Sequence, residues 1–179
     1  SCSEWGALSE FKVSTKSSSK SKSEIKSPSN LVDILKEGVL KSKKTGIREV
    51  DRVLGGGILP GSMILLGGSP GIGKSTLALQ IIPELKYNVL YVSAEESEEQ
   101  LALRAKRLNI STNNIKLSTE NNIESIIDQL SLIKPKLLII DSIQNIYSDN
   151  LDSISGSPSQ IRECGQQLLS IAKKDKISV

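Results

Sequence analysis

Histidine is absent from the 179 residues of this sequence, and its absence excludes two common kinds of site. Without imidazole, neither a histidine-based catalytic triad nor a histidine-ligated zinc centre can form. The two cysteines, Cys2 and Cys164, are too few for a disulfide framework. No apolar run approaches the roughly 18 residues of a membrane span, and no charged-then-apolar leader opens the chain. We therefore expect a cytoplasmic protein that does not act at a membrane.

Aromatic residues are also scarce, at 3% of the sequence. They are Trp5, Phe11, Tyr87, Tyr91 and Tyr147. The core must therefore be built mainly from the aliphatic side chains within the 37% hydrophobic content. Aromatic platforms on which nucleic-acid bases could stack are correspondingly few.

The net charge of +3 is concentrated in one segment of the chain. Residues 12–44 contain nine lysines and three acidic residues, whereas residues 45–179 are close to neutral. Eight serines and five lysines among residues 12–30 predict a flexible linker, because such a composition buries too little apolar area to fold. A polybasic arm that contacts DNA phosphates is the alternative interpretation.

Apolar runs alternate with amphipathic stretches from Thr45 onward, and this alternation predicts the fold class. Strands are predicted at 62–66 (buried), 88–93, 115–117, 136–140 and from Ile177; helices are predicted at 74–85, about 97–108, around 123–130 and 159–174. The order indicates an α/β protein with a mostly parallel sheet, helices on both faces and ligands at the carboxyl ends of the strands. Because the chain starts with Ser1 and stops within an apolar run, we expect a C-terminally truncated fragment.

A phosphate-binding motif, G-x-x-x-x-G-K-[ST], lies between the strand predicted at 62–66 and the next helix. Its glycines allow backbone amides to point at phosphates, Lys74 would reach the β- and γ-phosphates, and the Ser75 hydroxyl would bind Mg²⁺. A glycine-rich turn without a ligand is the alternative. The predicted nucleotide-binding residues are Gly68, Ser69, Pro70, Gly71, Ile72, Gly73, Lys74, Ser75 and Thr76.

Acidic residues follow two of the predicted strands, where a magnesium triphosphate site needs them. Asp141 ends the apolar run 137–140, the Walker-B pattern, and is predicted to hold Mg²⁺ together with Ser75. Alone, the pattern could equally mark an aspartate that caps a turn. Glu95 and Glu96 end the strand at 88–93, and one of them should face the γ-phosphate because successive residues point opposite ways. We predict Glu95 as the base that activates water, with Glu96 as the alternative.

Several stretches resemble the RecA-like P-loop ATPases and, in combination, the bacterial RadA (Sms) family of DNA repair proteins. The similarity runs from about Thr45 to Val179, with residues 45–61 resembling the general RecA-like lead-in. The stretches that narrow the resemblance to RadA are 67–76 (GGSPGIGKST), 92–97 (VSAEES), 140–144 (IDSIQ) and 156–163 (GSPSQIRE). The resemblance implies a RecA-like core at 45–179 that binds ATP with Mg²⁺, with Lys74, Glu95 and Asp141 as its catalytic residues.

The resemblance also implies partners: single-stranded DNA, recombination intermediates processed by branch migration, a recombinase, and other copies of the chain in a ring. Arg104, Arg107 and Arg162 match family arginines that could contact ATP or DNA. Residues 2–6 (CSEWG) resemble the end of the family's four-cysteine zinc finger, so residues 1–11 are interpreted as its remnant and 12–44 as a linker. Zn²⁺ is expected only in the intact parent, because one thiolate cannot hold a structural zinc ion. A KaiC-like regulatory oligomer that binds ATP without DNA is the alternative function.

Overall fold

The computed structural model describes residues 27–38, 40–111 and 113–179. They fall into two compact units, one ending at Val39 and the other formed by Leu40–Val179. The first contains helix α1 (Leu31–Glu37), which begins after Asn30, whose side chain accepts a hydrogen bond from the Val32 amide at 3.1 Å. The predicted linker therefore includes a short helix. Residues 12–26 of that linker and the predicted zinc-finger remnant at 1–11 lie outside the described residues.

The second unit is organised around three parallel strands in the order β2-β1-β3. The strands are β1 (Val89–Ser93), β2 (Ile115–Ser118) and β3 (Leu137–Asp141). All five residues of β1 are buried because it is the central strand. The register places Ser93 opposite Asp141, so β1 and β3 end at the same level.

Helices cover both faces of this sheet, which confirms the predicted α/β class. The helices of this unit are α2 (Arg48–Val53), α3 (Lys74–Gln80), α4 (Glu98–Arg107), α5 (Ile123–Ile133) and α6 (Pro158–Asp175), and the last four pack against the sheet. Leu90 and Val92 pack against α5 and α6, whereas Val89 and Tyr91 pack against α3 and α4, because alternate strand residues point to opposite faces. In the described part of the chain, no helix combines the length and apolarity that crossing a membrane requires.

The prediction of a buried strand at 62–66 is wrong. The amide of Ile64 donates to Val179 O at 2.7 Å, and the amide of Val179 donates to Ser62 O at 2.9 Å. Beyond this short pairing the run is open to solvent, with Leu65 83% and Leu66 47% exposed. Within the described residues, the run therefore lacks the backbone partners and covering side chains that a buried strand requires.

The helix predicted at 74–85 is also too long. Helix α3 ends at Gln80, and a separate 3₁₀ turn follows at Pro83–Leu85. Pro83 has no amide hydrogen and its ring would clash with the preceding turn, so it cannot continue an α-helix. It is tolerated here because it stands at the start of the 3₁₀ turn.

Glycine is required where the lead-in to α3 passes close to itself. Lys43 and Ile58 form an antiparallel bridge, with backbone hydrogen bonds of 2.8 Å in both directions. Gly57 lies beside this bridge with φ = 126°, and a β-carbon there would collide with the carbonyl group of Lys43. The bridge fixes the path of the chain just before residues 62–76.

Candidate functional site

The predicted phosphate-binding loop, residues Gly68–Thr76, enters α3 through glycines with left-handed backbone angles. Gly71 has φ = 76° and Gly73 has φ = 103°, values that glycine adopts without steric cost. Gly73 immediately precedes α3, and no side chain caps the helix at that point. The first backbone N–H groups of α3 consequently remain available as donors, because they have no acceptor within the helix. We call Gly68–Thr76 the phosphate loop.

Lys74 reaches back across the phosphate loop. Its Nζ donates to Gly68 O at 2.8 Å and to Ser69 O at 3.0 Å. The ammonium group of Lys74 thus lies beside backbone carbonyl groups of the loop that, according to the motif, binds phosphate. Together with the loop amides and the partly exposed hydroxyls of Ser75 and Thr76, it forms a set of donors with a positive charge. This chemistry fits the triphosphate of a nucleotide.

The side chain of Asp141 lies on the face of the sheet that α3 covers. Leu137, Ile139 and Asp141 point to one side of β3, because alternate residues share a face. Leu137 belongs to the same buried cluster as Leu79 of α3. Since α3 begins at Lys74, the helix that follows the phosphate loop and this carboxylate lie on one side of the sheet.

Tyr91 holds the Asp141 side chain from the neighbouring strand. Its hydroxyl donates to Asp141 Oδ2 at 2.7 Å, and its ring is fully buried. Burial raises the pKa of Tyr91, and the hydrogen bond to Asp141 raises it further, so the phenol remains a donor. The amide of Ala94 also donates to Asp141 O at 3.0 Å, which fixes the backbone at the same point.

Glu95 lies beside the turn that follows Asp141. Its Oε1 accepts hydrogen bonds from Ser142 Oγ at 2.7 Å and from Asn145 Nδ2 at 3.0 Å. The structure thereby joins the ends of β1 and β3 through side chains. We call the two segments, residues 93–96 and 141–145, the carboxylate end of the site.

Glu96 has different partners from Glu95. It forms an ion pair with Arg104 of α4, and its amide donates to Ser93 Oγ at 3.0 Å. Arg107 and Arg162 are exposed. The catalytic role of either glutamate and the ligand contacts of the three arginines stay predictions.

Three contacts at the carboxylate end were not predicted from the sequence. Ser142 and Asn145 hold Glu95, and Tyr91 holds Asp141. Ser142 follows Asp141 directly in the sequence, and this position could have indicated that it belongs to the carboxylate end. Tyr91 offered a weaker signal, since its bond depends on the register between β1 and β3.

A second polar cluster fixes the segment after the carboxylate end. Gln160 of α6 is buried; its side chain accepts from Ser148 N at 2.9 Å and donates to Leu151 O at 3.2 Å. Glu124 of α5 accepts from Ser148 Oγ at 2.5 Å and from Asn150 Nδ2 at 2.7 Å. Burial alone would raise the pKa of Glu124, but hydrogen bonds to its carboxylate, led by that from Ser148 and including that from the Asp149 amide, lower it below its ordinary value.

Cys164 is a free, fully buried residue of α6. Burial, followed by the nearby charges of Glu124 and Glu163, raises the pKa of its thiol to about 11. In the ranges that the structure describes, no group of three or more His, Cys, Asp or Glu side chains is placed to hold a metal ion.

Comparison with known proteins identifies a matching family model and several similar relatives. A family model described as "ATPase: KaiC" matches residues 43–124. The DNA repair protein RadA of Listeria monocytogenes is 41% identical over 183 aligned positions, and that of Chlamydia trachomatis is 45% identical. Each alignment covers 99% of this chain and 40% of the relative. RadA of Streptococcus pyogenes serotype M6 is 50% identical over 137 positions, or 75% of this chain and 30% of that protein.

A solved structure supports the fold independently of these sequences. The crystal structure of a KaiC-like protein from the archaeon Pyrococcus horikoshii superposes with a TM-score of 0.63 at 23% identity. The match covers 78% of this chain and 70% of that protein. The α/β fold is therefore that of a RecA-type P-loop core. The chain spans about 40% of the length of the RadA relatives from Listeria monocytogenes and Chlamydia trachomatis.

Proposed function

This chain belongs to the RadA family of RecA-like P-loop ATPases, and we propose on that premise that it binds and hydrolyses ATP in DNA repair. The observation that carries the proposal is the phosphate loop, shaped by Gly71 and Gly73 and crossed by Lys74. An uncapped helix start and a lysine held at loop carbonyls provide donors without a competing carboxylate.

In this proposal the phosphate loop holds the β- and γ-phosphates of ATP. Lys74 exchanges its acceptors, Gly68 O and Ser69 O, for phosphate oxygens and so keeps its hydrogen bonds. The Ser75 hydroxyl and the Asp141 carboxylate would hold Mg²⁺ in this proposal. When bound, Mg²⁺ neutralises charge on the phosphate oxygens.

Glu95 is the proposed base for the attacking water. Ser142 and Asn145 both donate to Oε1 and fix the carboxylate, which leaves Oε2 to accept the proton of the water. Glu96 is the weaker candidate, because its ion pair with Arg104 engages the carboxylate and draws it toward α4.

Replacement of Lys74 tests the binding step. We expect Lys74→Ala to weaken ATP binding at least about 100-fold, because it removes two charge-assisted contacts to phosphate. Equilibrium titration with a fluorescent ATP analogue measures the loss, and Lys106→Ala, an exposed lysine of α4, is the matched control. Wild-type affinity in Lys74→Ala would contradict the proposal.

The proposed target is single-stranded DNA in recombination intermediates, with the intact protein acting as a ring of identical subunits beside a recombinase. Support comes from the relatives named DNA repair protein RadA and from the lysine-rich segment at 12–44. Turnover of ATP by the intact protein, measured with and without single-stranded DNA, tests this. Turnover that DNA leaves unchanged would argue against a DNA-dependent ATPase.

A KaiC-like regulatory oligomer that uses ATP without DNA is the second candidate. It is favoured by the description of the matching family model and by the KaiC-like fold relative. Assembly with ATP, together with no binding of single-stranded DNA, would select this function over the first.

A further inference from the structure

Tyr91 brings a hydroxyl group into a buried cluster of hydrophobic side chains. The ring lies in a buried cluster with Leu79, Leu101 and Leu137, and none of it is exposed. A buried hydroxyl is costly unless it has a hydrogen-bond partner, and its partner here is Asp141 Oδ2 at 2.7 Å. The hydroxyl therefore serves to hold the Asp141 carboxylate, whereas the ring supplies the packing.

We propose that Tyr91 is a positioning residue for Asp141, and this inference rests on the function proposed above. The phenol holds Oδ2, so Oδ1 is the carboxylate oxygen that would serve Mg²⁺. The Ala94 amide holds the main chain of Asp141, so its side chain is oriented from β1 and its backbone from the residue that follows β1. Carboxylates that serve metals are commonly oriented by such hydrogen bonds, and loss of the partner typically costs about 10–100-fold in metal affinity or activity.

The substitution Tyr91→Phe removes one oxygen and keeps the ring in its cluster. Tyr87→Phe is the matched control, because Tyr87 packs against the same cluster and does not bond to Asp141. Affinity for a fluorescent non-hydrolysable ATP analogue is measured in Mg²⁺ and in EDTA. We expect Tyr91→Phe to lower the gain in affinity that Mg²⁺ provides by about 10-fold, with affinity in EDTA unchanged, and to lower kcat more than it raises KM.

Asp141→Asn separates failure of this inference from failure of the proposed function. If Asp141→Asn leaves the Mg²⁺-dependent gain intact, the metal role of Asp141 is overturned. If Asp141→Asn abolishes the gain while Tyr91→Phe behaves like Tyr87→Phe, only the positioning role is overturned. The double variant should match Asp141→Asn alone; additive losses would contradict action through Asp141.

A measurement on the unaltered protein keeps the proposal testable should Tyr91→Phe fail to fold. Carbon-13 at Cζ of tyrosine reports the hydrogen bond of each hydroxyl, and this chain has three tyrosines, Tyr87, Tyr91 and Tyr147. Assignment needs only Tyr87→Phe and Tyr147→Phe, with Tyr91 found by elimination. The Tyr91 signal should shift between nucleotide with Mg²⁺ and nucleotide in EDTA; an unchanged Tyr91 signal would overturn the proposal.

Discussion

The phosphate loop and the carboxylate end are built in different ways. The phosphate loop is largely exposed, and its lysine bonds are to residues five and six positions away. The carboxylate end joins residues about 50 positions apart, Tyr91 to Asp141 and Glu95 to Asn145. One half of the site is therefore shaped by local backbone preference, and the other by the pairing of β1 with β3.

This difference should separate the Mg²⁺-independent binding of phosphate from the placing of Mg²⁺ and of the attacking water. A local loop can offer donors to phosphate whatever the rest of the sheet does, since glycine conformation and one lysine define it. The carboxylate end is correct only when two strands and their helices are in place. We therefore expect substitutions in the two halves to damage different measurable quantities.

Glu95→Gln should give the largest effect and test the separation directly. Loss of the base should reduce ATP turnover by about 10²–10⁴-fold while binding of ATP is retained. Single-turnover hydrolysis and equilibrium nucleotide binding measure the two quantities. Glu96→Gln is the control; if it stops turnover and Glu95→Gln does not, the roles of the two glutamates are reversed.

Leucine truncation should sharpen the same contrast in stability. Leu138→Ala in β3 removes a fully buried side chain and should lower the free energy of unfolding by about 2–5 kcal/mol. Leu65→Ala, beside the phosphate loop, removes a side chain that is 83% exposed and should change it by no more than about 0.5 kcal/mol. Denaturant titrations compare the two. Equal losses would show that residues 62–66 are buried in solution.

Acidification should produce the smallest effect on stability. It should act through Glu124, in the polar cluster that fixes the segment after the carboxylate end. The folded-state pKa of Glu124 is lowered, so its stabilising contribution is present above the ordinary pKa of about 4.3 and is lost as pH falls through the lower folded value. The difference in unfolding free energy between wild type and Glu124→Gln should therefore shrink below about pH 4. Glu49→Gln on α2 is the exposed control. A difference that grows on acidification would contradict the sign.

Local patterns predicted the glycine-rich turn before α3 and the alternating α/β order because both are set by short-range preferences. The motif at 68–75 fixes glycines and lysine by spacing alone, and β1, β3 and α6 follow from apolar runs and helical periodicity. The same reasoning failed at 62–66, because an apolar run indicates a buried strand only where neighbouring elements cover it. At 74–85 the helical period continued through Pro83, which the backbone cannot follow.

Contacts at the carboxylate end were beyond the reach of a single sequence. That Glu95 and Glu96 have different partners follows from alternation, but Ser142, Asn145 and Arg104 are brought to them by strand pairing and by α4. The Tyr91 bond requires that Ser93 stand opposite Asp141, which no local pattern specifies.

The alignment of Ser93 with Asp141 has one more consequence, which concerns misfolding. A slip of β3 by a single position inverts which side chains face each way, so Ile140 would occupy the place of Asp141 and the acid would turn toward the packing of α5 and α6. Such a conformer could still hold nucleotide at residues 68–76 yet would be catalytically silent. The aliphatic residues that fix the register of β3 thereby keep Asp141 on the correct face of the sheet, although none of them is proposed to contact the ligand.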